Sequence, residues 1–228
     1  MESSHSPHLV IAIDGPAASG KSSVARALAR RLDFVYVNTG AMYRAVTWYA
    51  VRKQVAPADS PRILEILAGA KIQCGVNEGD STIIIDNVDP TPHLLSSEVN
   101  DGVSQVATIP EVRHRLVALQ REYAADFDLV MEGRDIGSAV FPDTPYKFYI
   151  DASPEVRAQR RQKQGIADSI LSRDKVDSSR RTSPLIIAED AHVIDSSKLT
   201  VDGVVGEIIG RLKMHGLKIL DGRYRLIR

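Results

Sequence analysis

The sequence predicts an α/β fold, three layers deep, in which helices cover both faces of a central parallel sheet. Short apolar runs alternate along the chain with amphipathic stretches of helical period. The runs are continuous rather than alternating, as in strands buried on both faces. The first run also passes through a glycine-rich loop straight into the first helical stretch, which starts the alternation at the amino end.

A chain of 228 residues suits one large domain or one domain carrying an insertion. With 25% charged and 43% hydrophobic residues, and only 15 Gly and 11 Pro, it reads as neither disordered nor collagen-like nor fibrous. Lys plus Arg and Asp plus Glu each number 29, so any anion site has to be built locally. Neither nucleic acid nor an anionic membrane is an expected partner. The single cysteine, Cys74, has no partner for an internal disulfide, and the opening residues lack a basic start followed by an apolar stretch. A cytoplasmic protein is expected. No apolar run approaches the roughly 18 residues that span a bilayer.

The elements follow in order. Leu9 to Ile13 is a strand that stops at Asp14-Gly15-Pro16. From Ser22 to Leu32, Val24, Ala25, Leu28 and Leu32 recur at helical spacing. Phe34 to Val37 is a second strand, and Gly40 to Val51 a second helix whose Trp48 and Tyr49 read as core aromatics. Ser60-Pro61 reads as an N-cap and first helical residue, with Gly69 closing that helix. Lys71 to Val76 and Thr82 to Asp86 flank the turn residues Asn77-Glu78-Gly79-Asp80, which predicts a hairpin. Antiparallel strands break the alternation, so residues of about 62–100 are the expected insertion, with Pro90 and Pro92 in an irregular linker. Cys74 reads as a small packed side chain on the hairpin.

Pro110 opens an amphipathic helix with Val112, Leu116, Leu119 and Tyr123 on one stripe. Periodicity alone leaves its Arg113, Arg115 and Arg121 equally suited to a solvated face. Leu129 to Met131 and Lys147 to Ile150 are further strands, and Ser153-Pro154-Glu155 starts a helix dense in arginine. Residues 168–184 are polar, rich in Ser, Asp and Arg, and predict a mobile flap or an interhelical loop. A last strand at His192 to Ile194 precedes a helix carrying Val201, Val204, Val205, Ile208, Ile209 and Leu212.

Gly15-Pro16-Ala17-Ala18-Ser19-Gly20-Lys21-Ser22 satisfies G-x-x-x-x-G-K-[ST] at every position, between a strand and a helix. This is a P-loop. The loop from Gly15 through Ser23, by its backbone N–H groups other than at Pro16, is expected to cradle the phosphates of ATP, aided by the positive end of the helix. Lys21 adds a mobile charge for the β- and γ-phosphates, and the Ser22 hydroxyl is the candidate Mg²⁺ ligand. There is no N-K-x-D to read guanine and no apolar strand ending in Asp-Glu, so a GTPase switch and a motor ATPase are disfavoured. A transferase also needs arginines outside the P-loop to hold a second phosphorylated substrate.

Such arginines stand in Asn38-Thr39-Gly40-Ala41-Met42-Tyr43-Arg44 and in Glu132-Gly133-Arg134-Asp135-Ile136-Gly137. With Ile13 to Pro16, Ser104-Gln105-Val106-Ala107, Val140-Phe141-Pro142-Asp143, Arg173-Asp174 and Ser183-Pro184-Leu185, these blocks make the chain resemble the bacterial cytidylate kinases among the nucleoside monophosphate kinases. The resemblance spans nearly the whole chain. It implies a P-loop three-layer fold, a monophosphate-binding insert over about 62–100 and a lid over about 165–184. It also implies transfer of the γ-phosphoryl of ATP to CMP or dCMP with Mg²⁺, by a monomer.

By the same resemblance Arg44, Arg134 and Arg180 hold the acceptor phosphate, Ser104, Arg113 and Asp135 face the cytosine, Asp177 the sugar, and Thr39 is a further substrate-binding residue. Arg173, with Arg157, Arg160 or Arg161, is implied to face the transferring phosphoryl. The chain departs from the family's pattern at Leu94-Leu95-Ser96-Ser97, where an arginine is common, and at Glu132, where aspartate is. The P-loop alone also fits a small-metabolite kinase of the shikimate kinase type, or a non-catalytic nucleotide-binding module. Neither gives Ser104, Arg113 and Asp177 a task.

Overall fold

A computed structural model describes residues 8–163, 170–220 and 223–226. Its main sheet has seven strands in the order β3-β4-β2-β5-β1-β6-β7. These are β1 (Val10–Asp14), β2 (Val35–Asn38), β3 (Ile72–Asn77), β4 (Asp80–Ile85), β5 (Leu129–Gly133), β6 (Lys147–Asp151) and β7 (His192–Asp195). β2, β5, β1, β6 and β7 run parallel, so their carboxyl ends share one edge. The alternation of side chains along a strand sends Ile11 and Ile13 to one face of the sheet and Val10 and Ala12 to the other.

Helices α1 (Lys21–Leu32) and α8 (Val201–Met214) cover the Ile11 face, and α5 (Pro110–Asp126) brings Tyr123 to the Val10 face. A third apolar cluster joins α2 (Thr39–Arg52), α3 (Ser60–Ala68) and α4 (Ser97–Val106) to β4, with Trp48 and Tyr49 buried inside it. Side-chain caps fix several starts: Asn38 accepts from the Ala41 amide at 3.0 Å, and Thr200 from Gly203 at 3.1 Å. The cap of α3 is Asp59, one residue before the expected Ser60, because its carboxylate reaches the Arg62 amide at 3.2 Å.

The β3-β4 hairpin is antiparallel, as its turn residues require, and is joined to the sheet edge by a parallel pairing of Tyr36 with Asp80. It therefore extends the sheet. Three further features differ from expectation or were not anticipated. α4 starts inside the stretch read as insertion and linker; its stripe is only Val99, Val103 and Val106, and Gly102 packs directly on Pro57. The polar stretch read as a flap or loop contains α6's neighbour α7 (Ile170–Ser179), after α6 (Pro154–Lys163). Carboxylates of α7 attach it to the rest of the chain, as described below. Beyond Gly216 a small hairpin forms from β8 (Leu217–Leu220) and β9 (Arg223–Leu226). Among the described residues no helix is long and apolar enough to cross a membrane.

Candidate active site

β1 ends at Asp14, β2 at Asn38 and β5 at Gly133; at this edge the chain leaves β1 and β5 in loops and passes from β2 straight into α2. Ligands of open α/β sheets bind beyond such carboxyl ends. After β1 comes the P-loop. A Cβ on Gly15 would overlap the Ile150 carbonyl oxygen, so only glycine lets the loop pass this close to β6. Gly20 has φ 91°, a left-handed turn that starts α1 and leaves its first N–H groups facing outward. Lys21 is buried, its Nζ donating to the Pro16 carbonyl at 3.0 Å across the loop.

The loop is braced from α6 and α7. Arg160 donates to the Ser19 carbonyl at 3.0 Å and to the Ser196 carbonyl at 2.8 Å. Arg157 donates to the Ala17 carbonyl at 3.2 Å and pairs with Asp174, whose other oxygen accepts from the Ala17 amide at 3.1 Å. Arg160 was expected to face a phosphoryl group; it lines the cleft while its guanidinium ties the P-loop to the segment after β7. The side chain of Arg173 lies outside the described residues, as do residues 165–169 of the expected lid.

Opposite the P-loop a second set of charges converges. Thr39 donates to the Glu132 carbonyl at 2.8 Å, which fixes the start of α2 against β5. Arg113 is 1% exposed, pairs with Asp135 and stacks over the Tyr43 ring at 5.4 Å. That decides against a solvated face. Asp177 takes Arg134 Nε at 2.8 Å on one oxygen and Arg180 on the other. Burial pushes the Asp135 carboxyl up, against the Arg113 guanidinium that pulls it down. Burial works against charge on Arg134 as well, but Asp177 and neighbouring carboxylates outweigh it and hold that guanidinium above its ordinary value. Arg180 goes the other way: burial, with Arg113 and Arg134 close by, lowers it despite Asp177. Burial likewise raises the Tyr43 phenol to about 12, so it stays neutral.

One cleft of about 410 Å³ joins the two sets. Ala17, Ala18, Gly20, Lys21, Ser22 and Ser23 line it from the P-loop side. Thr39, Arg44, Ser104, Arg134, Asp135, Asp177 and Arg180 line it from the other, with Arg160 and Arg161 above. Gly15, Pro16 and Ser19 lie in the loop behind this lining, and Arg113 reaches it through Asp135. A family model described as cytidylate kinase matches residues 11–214. The chain belongs to the cytidylate kinase family.

Among curated cytidylate kinases, the one from Pelotomaculum thermopropionicum is 44% identical over 214 residues, covering 89% of this chain and 95% of that protein. That of Corynebacterium glutamicum is 43% identical over 213 residues, covering 88% and 93%. A solved gluconokinase from Sinorhizobium meliloti has a TM-score of 0.48 at 11% identity, covering 91% of this chain and 93% of that one. As a member of the cytidylate kinase family, the chain carries two side chains lining its cleft and one bracing the P-loop beside it that the sequence left without a role. Glu132 lines the cleft and accepts from the Tyr36 hydroxyl at 3.2 Å; Tyr43 supports Arg113; Asp174 ties α7 to the P-loop. All three stand inside the blocks that carry the resemblance, which was the available signal.

Proposed function

We infer that this cytidylate kinase family member transfers the γ-phosphoryl group of ATP to CMP or dCMP, giving CDP or dCDP and ADP. The observation that carries the reading is the single cleft lined by the P-loop lysine on one side and by Arg44, Arg134, Arg180 and the Arg113–Asp135 pair on the other. The P-loop amides and Lys21 hold the triphosphate, and Arg44, Arg134 and Arg180 hold the acceptor phosphate, with Thr39 beside them fixing the start of α2. The bond from the γ-phosphorus to its bridging oxygen breaks as one forms to an acceptor phosphate oxygen. That oxygen is already anionic, so no general base is assigned. Positioning and charge neutralisation supply the catalysis.

Cytosine has an amino group at its 4-position where uracil has a carbonyl. The Asp135 carboxylate and the Ser104 hydroxyl can accept from that amine, and Arg113 can donate to the ring acceptors; with uracil, buried groups lose their partners. Asp177, now shared by Arg134 and Arg180, is the group for the sugar hydroxyls. The expected insert, about 62–100, supports the monophosphate side. A lid over the cleft would exclude water that would otherwise take the phosphoryl group, with Arg161 at the cleft beside it.

The donor set fits Mg²⁺ carried by the nucleotide. Ser22 offers one hydroxyl at the cleft, and among the described residues no group of three His, Cys, Asp or Glu side chains forms a self-sufficient metal cage. When bound there, the ion neutralises phosphate oxygens. The same reading makes the protein a cytoplasmic monomer acting on small molecules. The test is initial-rate ADP formation with CMP, dCMP, UMP and AMP as acceptors. CMP or dCMP should be preferred; UMP used equally well or better overturns the assignment of the base-reading residues.

A further inference from the structure

Asp14 is the last residue of β1, 6% exposed, and the phosphoryl-transfer chemistry gives it no task. Its two carboxylate oxygens accept separately from consecutive amides, Oδ1 from Ile136 at 2.8 Å and Oδ2 from Gly137 at 2.8 Å. Those amides open a π turn over Ile136–Val140, directly after Arg134 and Asp135. The wide turn closes through bonds from Val140 N to the Asp135 carbonyl at 3.1 Å and from Phe141 N to the Ile136 carbonyl at 2.7 Å. It leaves its first two N–H groups parallel, a pair that matches both oxygens of one carboxylate and that a neutral amide could not satisfy.

The far end of the turn is held by the opposite charge. Arg121, from α5, donates Nε to the Val140 carbonyl at 2.9 Å and a terminal nitrogen to the Ala139 carbonyl at 3.1 Å. An anion at the amino end and a cation at the carboxyl end leave the turn one place to sit. Asp135 is the residue from which it starts, and the next residue after Asp14 is Gly15 of the P-loop.

We propose that Asp14 is a positioning residue for the acceptor side, clamping with Arg121 the π turn that aims Arg134 and Asp135 into the cleft. The inference rests on the function proposed above, since it takes these two residues to hold the nucleoside monophosphate. It makes the strand that feeds the phosphate cradle also set the base-reading carboxylate.

The test uses the full-length protein at about pH 8, where the Asp14 carboxyl is ionised. In Asp14→Asn, KM for CMP should rise by about tenfold, the equivalent of one lost charge-assisted hydrogen bond, while KM for ATP stays within about threefold. Arg121→Met, at the more exposed end of the clamp, should give the same split, and Arg121→Lys should restore part of it. A merely structural role would lower stability or raise both KM values together. Folded variants with both KM values raised equally, or neither raised, overturn the proposal. In ¹H–¹⁵N spectra the Ile136 and Gly137 amides should move upfield in Asp14→Asn; unmoved amides overturn the clamp. A wild-type protein that ignores CMP would instead contradict the proposed function, and the amide shifts still judge the clamp on their own.

Discussion

Arg113 and Asp135 sit together out of water, and removing either leaves a charge without its counter-ion. Arg113→Met is expected to lower the unfolding free energy in urea by about 3 kcal/mol, the low end of what breaking a buried pair costs. It should also erode the preference for CMP over UMP. A loss well under about 1 kcal/mol, the range of an exposed pair, would contradict the burial. Asp14 supplies the pH dependence. Burial raises its carboxyl from 3.8 to about 7, against the Gly137 and Ile136 amides that pull it down, with Asp135 adding to the rise and Lys21 opposing. Between those values the folded chain holds a proton that the unfolded chain has released, so stability falls as pH rises through about 7. The change in Tm between acid and alkaline buffer should shrink in Asp14→Asn relative to the unmutated protein; an unchanged difference would remove Asp14 as its source. Such residue-scale facts were only partly legible. The spacing on α5 could not say that Arg113, Arg115 and Arg121 all turn to protein acceptors: Asp135, the Leu67 and Ala70 carbonyls, and the Ala139 and Val140 carbonyls. A helical wheel records charge, and these partners come from distant parts of the chain.

At the level of elements, hydrophobic period served wherever burial was continuous. β1, β5 and β6 and the helices α1, α2 and α5 all formed near where apolar recurrence put them, because their faces are covered by the sheet or by each other. α7 was not legible in this way: the contacts described for it are those of Asp174 and Asp177, with partners distant in sequence. Asp174 links that helix to the P-loop through both the Ala17 amide and Arg157. Asp174→Ala should therefore loosen α7 from the P-loop. The ratio of ATP hydrolysis to CMP phosphorylation is expected to rise severalfold in a coupled assay; an unchanged ratio would show that α7 does not control water entry. α4 was missed because its apolar stripe is short and interrupted by Gly102, whose missing side chain is what lets Pro57 close against it.

Across the whole molecule, the parallel strands gather three junctions at one sheet edge, and the two charged sets meet there because the topology leaves them nowhere else to go. The motif blocks told which residues belong to the site; their mutual placement needed the fold. Asp177 bridging Arg134 and Arg180, for example, joins α7 to the loop after β5 across more than forty residues of sequence. On the function proposed, triphosphate and acceptor phosphate occupy one continuous cleft. Calorimetry with adenosine and cytidine joined 5′ to 5′ by about five phosphates tests it directly. One molecule should bind per chain, about 100-fold more tightly than ATP, because the second nucleotide then binds at high effective concentration. An affinity no better than that of ATP, or two molecules bound per chain, would contradict the account.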